Sequence, residues 1–78
     1  MNDDQIKDRL MSSSPEFHRL VEEHSNFEQR LHDLHTHQHM TERDLVEEAT
    51  LKKKKLQVKD RMNTMIHRFR TELTHLAI

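Results

Sequence analysis

The fold of this chain is decided by the stretch Leu51-Lys52-Lys53-Lys54-Lys55-Leu56-Gln57-Val58-Lys59-Asp60-Arg61-Met62. The stretch contains no glycine or proline, and it combines long cationic side chains with apolar residues at two different helical phases. These properties predict the middle of one long helix. We expect one face of that helix to pack against the first half of the chain. A second apolar face then remains without a partner in the chain.

The composition limits the fold to helices. The chain has 78 residues, enough for one domain, and 32% of them are hydrophobic while 35% are charged. Such proportions are typical of a long helical hairpin or a coiled coil. The absence of glycine makes tight strand turns and phosphate-binding loops difficult, which excludes most β-based folds. There is no cysteine, so disulfides and thiolate metal sites are excluded.

Charge is distributed unevenly along the chain. Residues 15–34 carry two cations and five anions, whereas residues 41–78 carry nine cations and six anions. Because the net charge is only −1, we expect these acidic and basic halves to pack against each other. No apolar run approaches the ~18 residues that span a bilayer, and the N-terminus has no charged-then-apolar leader. We therefore expect a cytoplasmic protein without membrane contact.

The first half of the chain predicts a short helix and then a longer one. Residues 2–11 are amphipathic, with Ile6 and Leu10 one helical turn apart. A longer apolar stripe follows, with alternating spacings of three and four that are typical of a helix packed on one other helix. Its members are Phe17, Leu20, His24, Phe27, Leu31 and Leu34.

Three serines and a proline separate these two helices. Ser14 can cap a helix over residues 15–36, and Pro15 can occupy its first position, where the missing N–H costs nothing. We expect the backbone to break here. The alternative is a single kinked helix that runs through the proline.

The second half predicts one helix over residues 42–76. Thr41 and Asp44 have the spacing of a capping box at its start. We predict that the face turned toward the first arm contains two consecutive spacings of three around Lys59, which is a stammer in a coiled coil. The members of this predicted seam are Leu45, Ala49, Lys52, Leu56, Lys59, Met62, Ile66, Phe69, Leu73 and Leu76.

The two stripes match if the chain folds back near His39. The residue numbers of facing positions then sum to 79 or 80, as an antiparallel hairpin requires. The predicted pairs are Leu34 with Leu45, Leu31 with Ala49, His24 with Leu56, Phe17 with Met62, Leu10 with Phe69 and Ile6 with Leu73.

A second stripe on the later helix is predicted to face away from the first arm. A two-helix hairpin of this size has a small interior, so an outward apolar stripe is where another molecule is expected to bind. The alternative is that the short first helix folds across this stripe and covers it. The predicted partner interface consists of Leu51, Val58, Met62, Met65, Phe69 and Leu76.

The lysine-rich stretch that opened this section, together with Pro15-Glu16-Phe17 and the Leu20, His24 and Leu31 that follow, resembles the YdcH-like family. Its members are small bacterial proteins classed as a domain of unknown function. The resemblance covers approximately residues 13–66. It implies a long α-hairpin of coiled-coil character in the bacterial cytoplasm.

The resemblance carries no activity, cofactor or catalytic residue over to this chain. The chain departs from the family in its histidine-rich turn, in Arg61, where an acidic residue is common, and in a longer tail after Phe69. The histidine-rich turn therefore has to be interpreted on its own chemistry.

Four histidines cluster at the predicted turn, namely His32, His35, His37 and His39. Neutral imidazoles at such spacings can bind zinc, nickel or copper, although no thiolate or standard carboxylate motif completes the set. The simpler interpretation is a solvated polar turn. A related hypothesis is a response to pH, in which protonation near pH 6 places positive charge at the tip and lowers helicity or alters association.

Five lysines form a predicted basic surface: Lys52, Lys53, Lys54, Lys55 and Lys59. Successive residues of a helix point in different directions, so this run surrounds the helix instead of forming one patch. Lys52 and Lys55 are expected to pair with Glu23, Glu28 or Glu48 of the hairpin. Nucleic-acid binding is the alternative, but the chain has no net positive charge and no Trp or Tyr for stacking.

His24 lies on the apolar stripe of the first arm, and we expect it to share that interface with a hydrogen-bond partner, for which the opposite arm is one source. A catalytic role would require a pocket with positioned neighbours, which a two-helix hairpin does not provide. No nucleophile motif, glycine-rich loop or paired-carboxylate motif is present. We therefore predict that the chain is not an enzyme.

The sequence as a whole predicts an all-α, coiled-coil-like antiparallel hairpin with a short N-terminal helix, in one domain over residues 1–78. Its expected function is a helical interaction module that self-associates or docks a helical protein. The alternatives are a metal- or pH-responsive hairpin and a weak nucleic-acid binder. We expect no cofactor, no small-molecule substrate and no membrane partner.

Overall fold

The computed structural model describes residues 2–76, apart from the side chain of Leu76, and this part of the chain forms three α-helices. They are α1 (Asp3–Ser13), α2 (Pro15–His35) and α3 (Glu42–Leu76). Helices α2 and α3 pack antiparallel into a hairpin that measures 57 × 19 × 17 Å. The predicted all-α hairpin with a short N-terminal helix is confirmed.

The helix boundaries follow from local capping. Asn2 caps α1 in a capping box, because its side chain accepts from the Gln5 N–H at 2.9 Å and the Gln5 side chain accepts from the Asn2 N–H at 3.0 Å. At the start of α3, Thr41 Oγ1 accepts from the Asp44 N–H and Asp44 accepts from the Thr41 N–H, both at 3.2 Å. The predicted capping box at residue 41 is therefore confirmed.

The junction between α1 and α2 is a break and not a kink. Ser14 has an extended backbone, with φ −122° and ψ 106°, and its Oγ accepts from the Phe17 N–H at 3.2 Å. Pro15 occupies the first turn of α2, as predicted. A single extended residue thus separates the two helices, and it lets α1 keep its apolar side on the same core.

The core is formed by the predicted stripes of α1 and α2. Ile6, Phe17 and Leu34 are fully buried, and Leu20 is nearly so. One cluster joins all three helices: Ile6 and Leu10 of α1, Phe17 of α2 and Ile66 of α3, with Met11, Val21, Met62, Met65 and Phe69 packed against it. The predicted neighbours Phe17 and Met62 lie in this cluster, as do Leu10 and Phe69.

The predicted seam of α3 is wrong in its first half. Leu45 and Leu56 are more than half exposed, and Ala49, Lys52 and Lys59 are exposed as well. They turn away from α2, so the predicted pairings of Leu34 with Leu45, Leu31 with Ala49 and His24 with Leu56 do not describe the packing.

The inward positions of α3 are instead those predicted to face a partner. Val58 is only 8% exposed, and Leu51, Met62, Met65 and Phe69 are half-buried. The prediction that Leu51, Val58 and Met65 form a free outer stripe is therefore wrong. Met62 and Phe69, predicted both in the seam and at the partner interface, lie in the seam. Leu76, the sixth member of that predicted interface, lies outside the described side chains.

The physical reason is that a continuous helix keeps one phase. Met62, Ile66 and Phe69 pack against the cluster of α1 and α2, and α3 runs without interruption from there toward the turn. Alternating spacings of four and three lead from Phe69 through Met65 and Met62 to Val58, and on through Lys55 to Leu51, without a stammer. This phase also keeps Lys52 and Lys59 in solvent, whereas the predicted seam would have turned two lysines toward the core.

The axial alignment of the two arms agrees with the prediction even though the rotation of α3 does not. Four ion-pair contacts join α2 to α3: Glu16 with Arg61, Glu28 with Lys55, Arg30 with Glu47 and His35 with Glu48. The residue numbers of these pairs sum to 77 or 83, on either side of the predicted 79 or 80. The fold point is therefore right, and α3 is turned by about one residue, or about 100°.

Candidate interaction surface

The outer face of α3 carries an apolar stripe that α1 and α2 leave uncovered. Leu45, Val46 and Leu56 are exposed by 53%, 67% and 59%, and Ala49 is exposed as well. We call these four residues the outer stripe. Leu45, Ala49 and Leu56 lie within about 40° of one another around the helix, and they extend along about 16 Å of its axis. Apolar side chains grouped in this way are typical of a contact surface for another molecule.

Three lysines border the outer stripe. Lys52 and Lys59, seven residues apart, lie along one edge, and Lys53 lies seven residues after Val46 along the other edge. All three side chains belong to exposed residues. The stripe is thus apolar along its centre and cationic at both borders.

The carboxylates of this segment are turned away from the stripe. Between residues 45 and 59 the chain has only two acidic residues, Glu47 and Glu48. Glu47 Oε1 lies 2.6 Å from Arg30 Nε, and Glu47 Oε2 accepts from Arg30 Nη2 at 3.1 Å. Glu48 Oε2 lies 2.6 Å from His35 Nε2. Contacts with α2 therefore occupy both anions. The stripe is flanked by lysines along its length, and the exposed carboxylates of Glu42 and Asp60 lie only beyond its two ends.

These contacts lower the pKa values of both carboxylates. The hydrogen bond from Arg30 is the main reason that the pKa of Glu47 lies below its ordinary value. The hydrogen bond from His35 lowers the pKa of Glu48 in the same way, with a smaller contribution from Lys52. Both carboxylates are thereby held ionised while they face α2.

The predicted basic surface is divided between paired and exposed lysines. Lys55 Nζ lies 3.3 Å from Glu28, and Lys52 Nζ lies 3.4 Å from Glu48, so two of the three expected acidic partners are confirmed. The third, Glu23, instead lies 3.9 Å from Arg19 of its own helix. Within the described residues, Lys53, Lys54 and Lys59 have no carboxylate within ion-pair distance.

The histidine-rich turn forms carboxylate contacts and not an imidazole cluster. His35 reaches Glu48, and His37 Nδ1 lies 3.4 Å from Asp44 Oδ2. The backbone N–H of Thr41 is the main cause of the lowered pKa of Asp44, and His37 adds to it. His32 and His39 are exposed. In the part of the chain that the structure describes, no three His, Asp or Glu side chains are arranged to hold a metal ion.

His24 has a neighbour on its own helix. Its Nδ1 lies 3.8 Å from Glu28 Oε1, one turn further along α2. Within the described residues, no carboxylate of the opposite arm lies within ion-pair distance of His24. Glu28 makes the connection across the hairpin, since it also contacts Lys55.

Two of the contacts between the arms that the sequence prediction missed are arginine–glutamate ion pairs. They are Arg30 with Glu47 and Arg61 with Glu16, the second with an N–O distance of 2.9 Å. Arg70 of α3 pairs with Asp3 of α1 in a comparable way. Facing positions were predicted to have residue numbers that sum to 79 or 80, which already sets these residues at similar heights along the hairpin. The predicted rotation of α3, however, turned Glu47 away from α2.

No helix in the described part of the chain is long and apolar enough to cross a membrane.

Comparison with known protein families identifies the family of this chain. The model of the family described as "Protein of unknown function (DUF465)" matches residues 17–66, which is more than half of the chain. No curated protein and no solved structure matches significantly.

Proposed function

Because the chain belongs to DUF465, a family whose description assigns no function, we propose from its surface that it is a helical interaction module that binds a helical protein segment on the outer face of α3. The observation that supports this is the outer stripe of Leu45, Val46, Ala49 and Leu56. The remaining large apolar side chains of α1 and α2 are at least half-buried, so the stripe is not a general feature of the surface.

The proposal places the contact on residues different from those of the original hypothesis. Leu51, Val58 and Met65 support the hairpin itself, whereas Leu45 and Leu56 remain available. Burial of a leucine side chain is worth about 1.5–3 kcal/mol. Leu45 and Leu56, on one line of α3, therefore supply apolar anchors for a helix that packs beside it.

Photocrosslinking tests the proposal directly. A photoreactive residue at position 53, beside the stripe, is expected to give a discrete adduct in cells of the source organism, and the double substitution Leu45→Ser with Leu56→Ser should abolish that adduct. The matched control carries the same photoreactive residue at position 54, about 160° around the helix from Leu56. Equal labelling at both positions, or an adduct that survives the double substitution, would contradict the proposal.

A second candidate function is a pH-responsive hairpin tip, supported by the two histidine–carboxylate contacts that join the end of α2 to the start of α3. His35 meets Glu48 and His37 meets Asp44. These contacts revise the pH hypothesis, because each of these histidines faces an anion and not another imidazole. Loss of helicity near pH 6 through mutual repulsion is then not expected, and the sensitive range moves to the titration of the carboxylates. Acid titration of the protein and of His35→Gln tests this function.

A further inference from the structure

The outer stripe has a charge pattern that selects among its possible occupants. We propose that it takes an amphipathic helix of another protein whose apolar side chains are flanked by Asp and Glu. This inference rests on the proposed interaction function and adds the chemical class of the partner.

The borders of the stripe supply the first argument. Lys52, Lys53 and Lys59 flank Leu45, Ala49 and Leu56, while Glu47 and Glu48 point to α2. Lys53 and Lys59 have no carboxylate partner within the described residues. A helix that packs on the leucines must bring its own flanking residues next to these ammonium groups. Carboxylates there gain favourable pairs, and lysines there would be repelled.

A second copy of this chain is a poor occupant. In a parallel pairing of two stripes, opposite edges meet, so each Lys52 lies beside the Lys53 of the other copy. In an antiparallel pairing that sets Leu45 against Leu56, the two Lys52 residues are separated by only about 4.5 Å along the axis. Both arrangements bring like charges together, which is destabilising at a helix interface.

The acidic face of α2 does not solve this problem for a second copy. Its exposed carboxylates include Glu16, Glu22 and Glu28, but no large apolar side chain of α2 is exposed, and the structure describes all of α2. That face could pair with the lysines but could not cover Leu45 and Leu56. A partner needs acidic and apolar residues on the same side of one helix, and α2 does not present that combination.

The test uses the full-length protein and three labelled synthetic helices in fluorescence anisotropy. The helices share leucines at spacings that match Leu45, Ala49 and Leu56, and their flanking residues are all Glu, all Gln or all Lys. At low salt we expect the Glu helix to bind about tenfold more tightly than the Gln helix, and the Lys helix to bind weakest. The advantage of the Glu helix should shrink as salt rises, because the flanking charges are exposed.

Variants assign the binding to the stripe. Leu45→Ser with Leu56→Ser should weaken binding of the Glu helix about tenfold or more. Lys53→Glu should reduce the preference for Glu over Gln flanks. Lys54→Glu, which makes the same charge change on another side of the helix, should leave binding within about twofold.

The outcomes separate the partner class from the proposed function. If all three helices bind equally and binding depends on the two leucines, the acidic partner is wrong and the interaction module stands. If no helix binds and the photocrosslink at position 53 is also absent, both are wrong. Two further results would overturn the acidic helix: sedimentation showing a dimer that Leu45→Ser with Leu56→Ser dissociates, or leucine-dependent binding to anionic phosphatidylglycerol vesicles in preference to the Glu helix.

Discussion

The two ends of the hairpin use their apolar residues differently. At the base, Ile6, Leu10, Phe17 and Ile66 meet in one buried cluster to which all three helices contribute. At the tip, α2 still buries Leu31 and Leu34, but α3 turns Leu45 and Val46 outward. Because α3 is one continuous helix, the packing of Ile66 at the base fixes the rotation of α3 about its own axis. That rotation also decides which side chains of α3 face α2 at the tip.

Near the turn, where the side of α3 that faces α2 carries few apolar residues, ion pairs form part of the contact between the helices. Glu47, Glu48 and Asp44 occupy the inward side of α3 near the turn, and they meet Arg30, His35 and His37. Exposed ion pairs contribute little each, so the tip is expected to be the less stable end. The outer stripe begins in this less stable half.

The base should show the largest effect of a single substitution. Phe17→Ala removes a fully buried ring from the central cluster and is expected to cost about 3–5 kcal/mol of unfolding free energy. The matched control is Phe27→Ala, because Phe27 is the half-buried phenylalanine of the same helix. Urea unfolding followed by circular dichroism measures both. Equal losses would mean that the base is not the dominant core.

The phase of α3 can be tested with two valines of the same helix. Val58 is 8% exposed and Val46 is 67% exposed, so the same substitution removes a buried side chain at position 58 and an exposed one at position 46. Val58→Ala is expected to cost about 1–2 kcal/mol, and Val46→Ala less than about 0.5 kcal/mol. Thermal unfolding of the two variants provides the comparison. The reverse order would restore the seam that runs through Leu45 and Leu56.

The tip should respond to acid, with the smallest effect. The pKa values of Asp44, Glu47 and Glu48 are lowered in the folded chain, so their contribution to stability is present above their ordinary pKa values of 3.8 to 4.5. That contribution is lost as the pH falls through the lowered values. We expect the unfolding midpoint to fall with pH below about 4.5.

His35→Gln provides the control for this acid response. Because the hydrogen bond from His35 is the main cause of the lowered pKa of Glu48, the variant should show a shallower acid dependence. Identical curves for the two proteins would show that the histidine–carboxylate contact does not contribute in solution.

The sequence was sufficient for features that depend on a few neighbouring residues. Ser14 with Pro15 and Thr41 with Asp44 mark helix ends through their own side chains, so the helix boundaries were predicted closely. The stripe of α2 was predicted as well, since only one phase of that helix is apolar.

The phase of α3 could not be settled by periodicity alone, because α3 has two apolar stripes. The signal that distinguishes them was present in the sequence. The predicted seam contained Lys52 and Lys59 and needed a stammer, whereas the path through Leu51, Val58 and Met65 is regular. The wrong phase then moved the predicted interface to the core side of the helix, and the pair of Arg30 with Glu47 was missed for the same reason.

The break at Ser14 has a consequence for how this protein is dissected. The family match begins at residue 17 and ends at residue 66, whereas Ile6 and Leu10 from α1 and Phe69 from α3 lie beyond those limits and pack in the central cluster. A fragment cut to the matched region would keep Phe17 and Ile66 but strip away the side chains that shield them. The segment that the family model matches is thus shorter than the three-helix unit that buries Phe17 and Ile66.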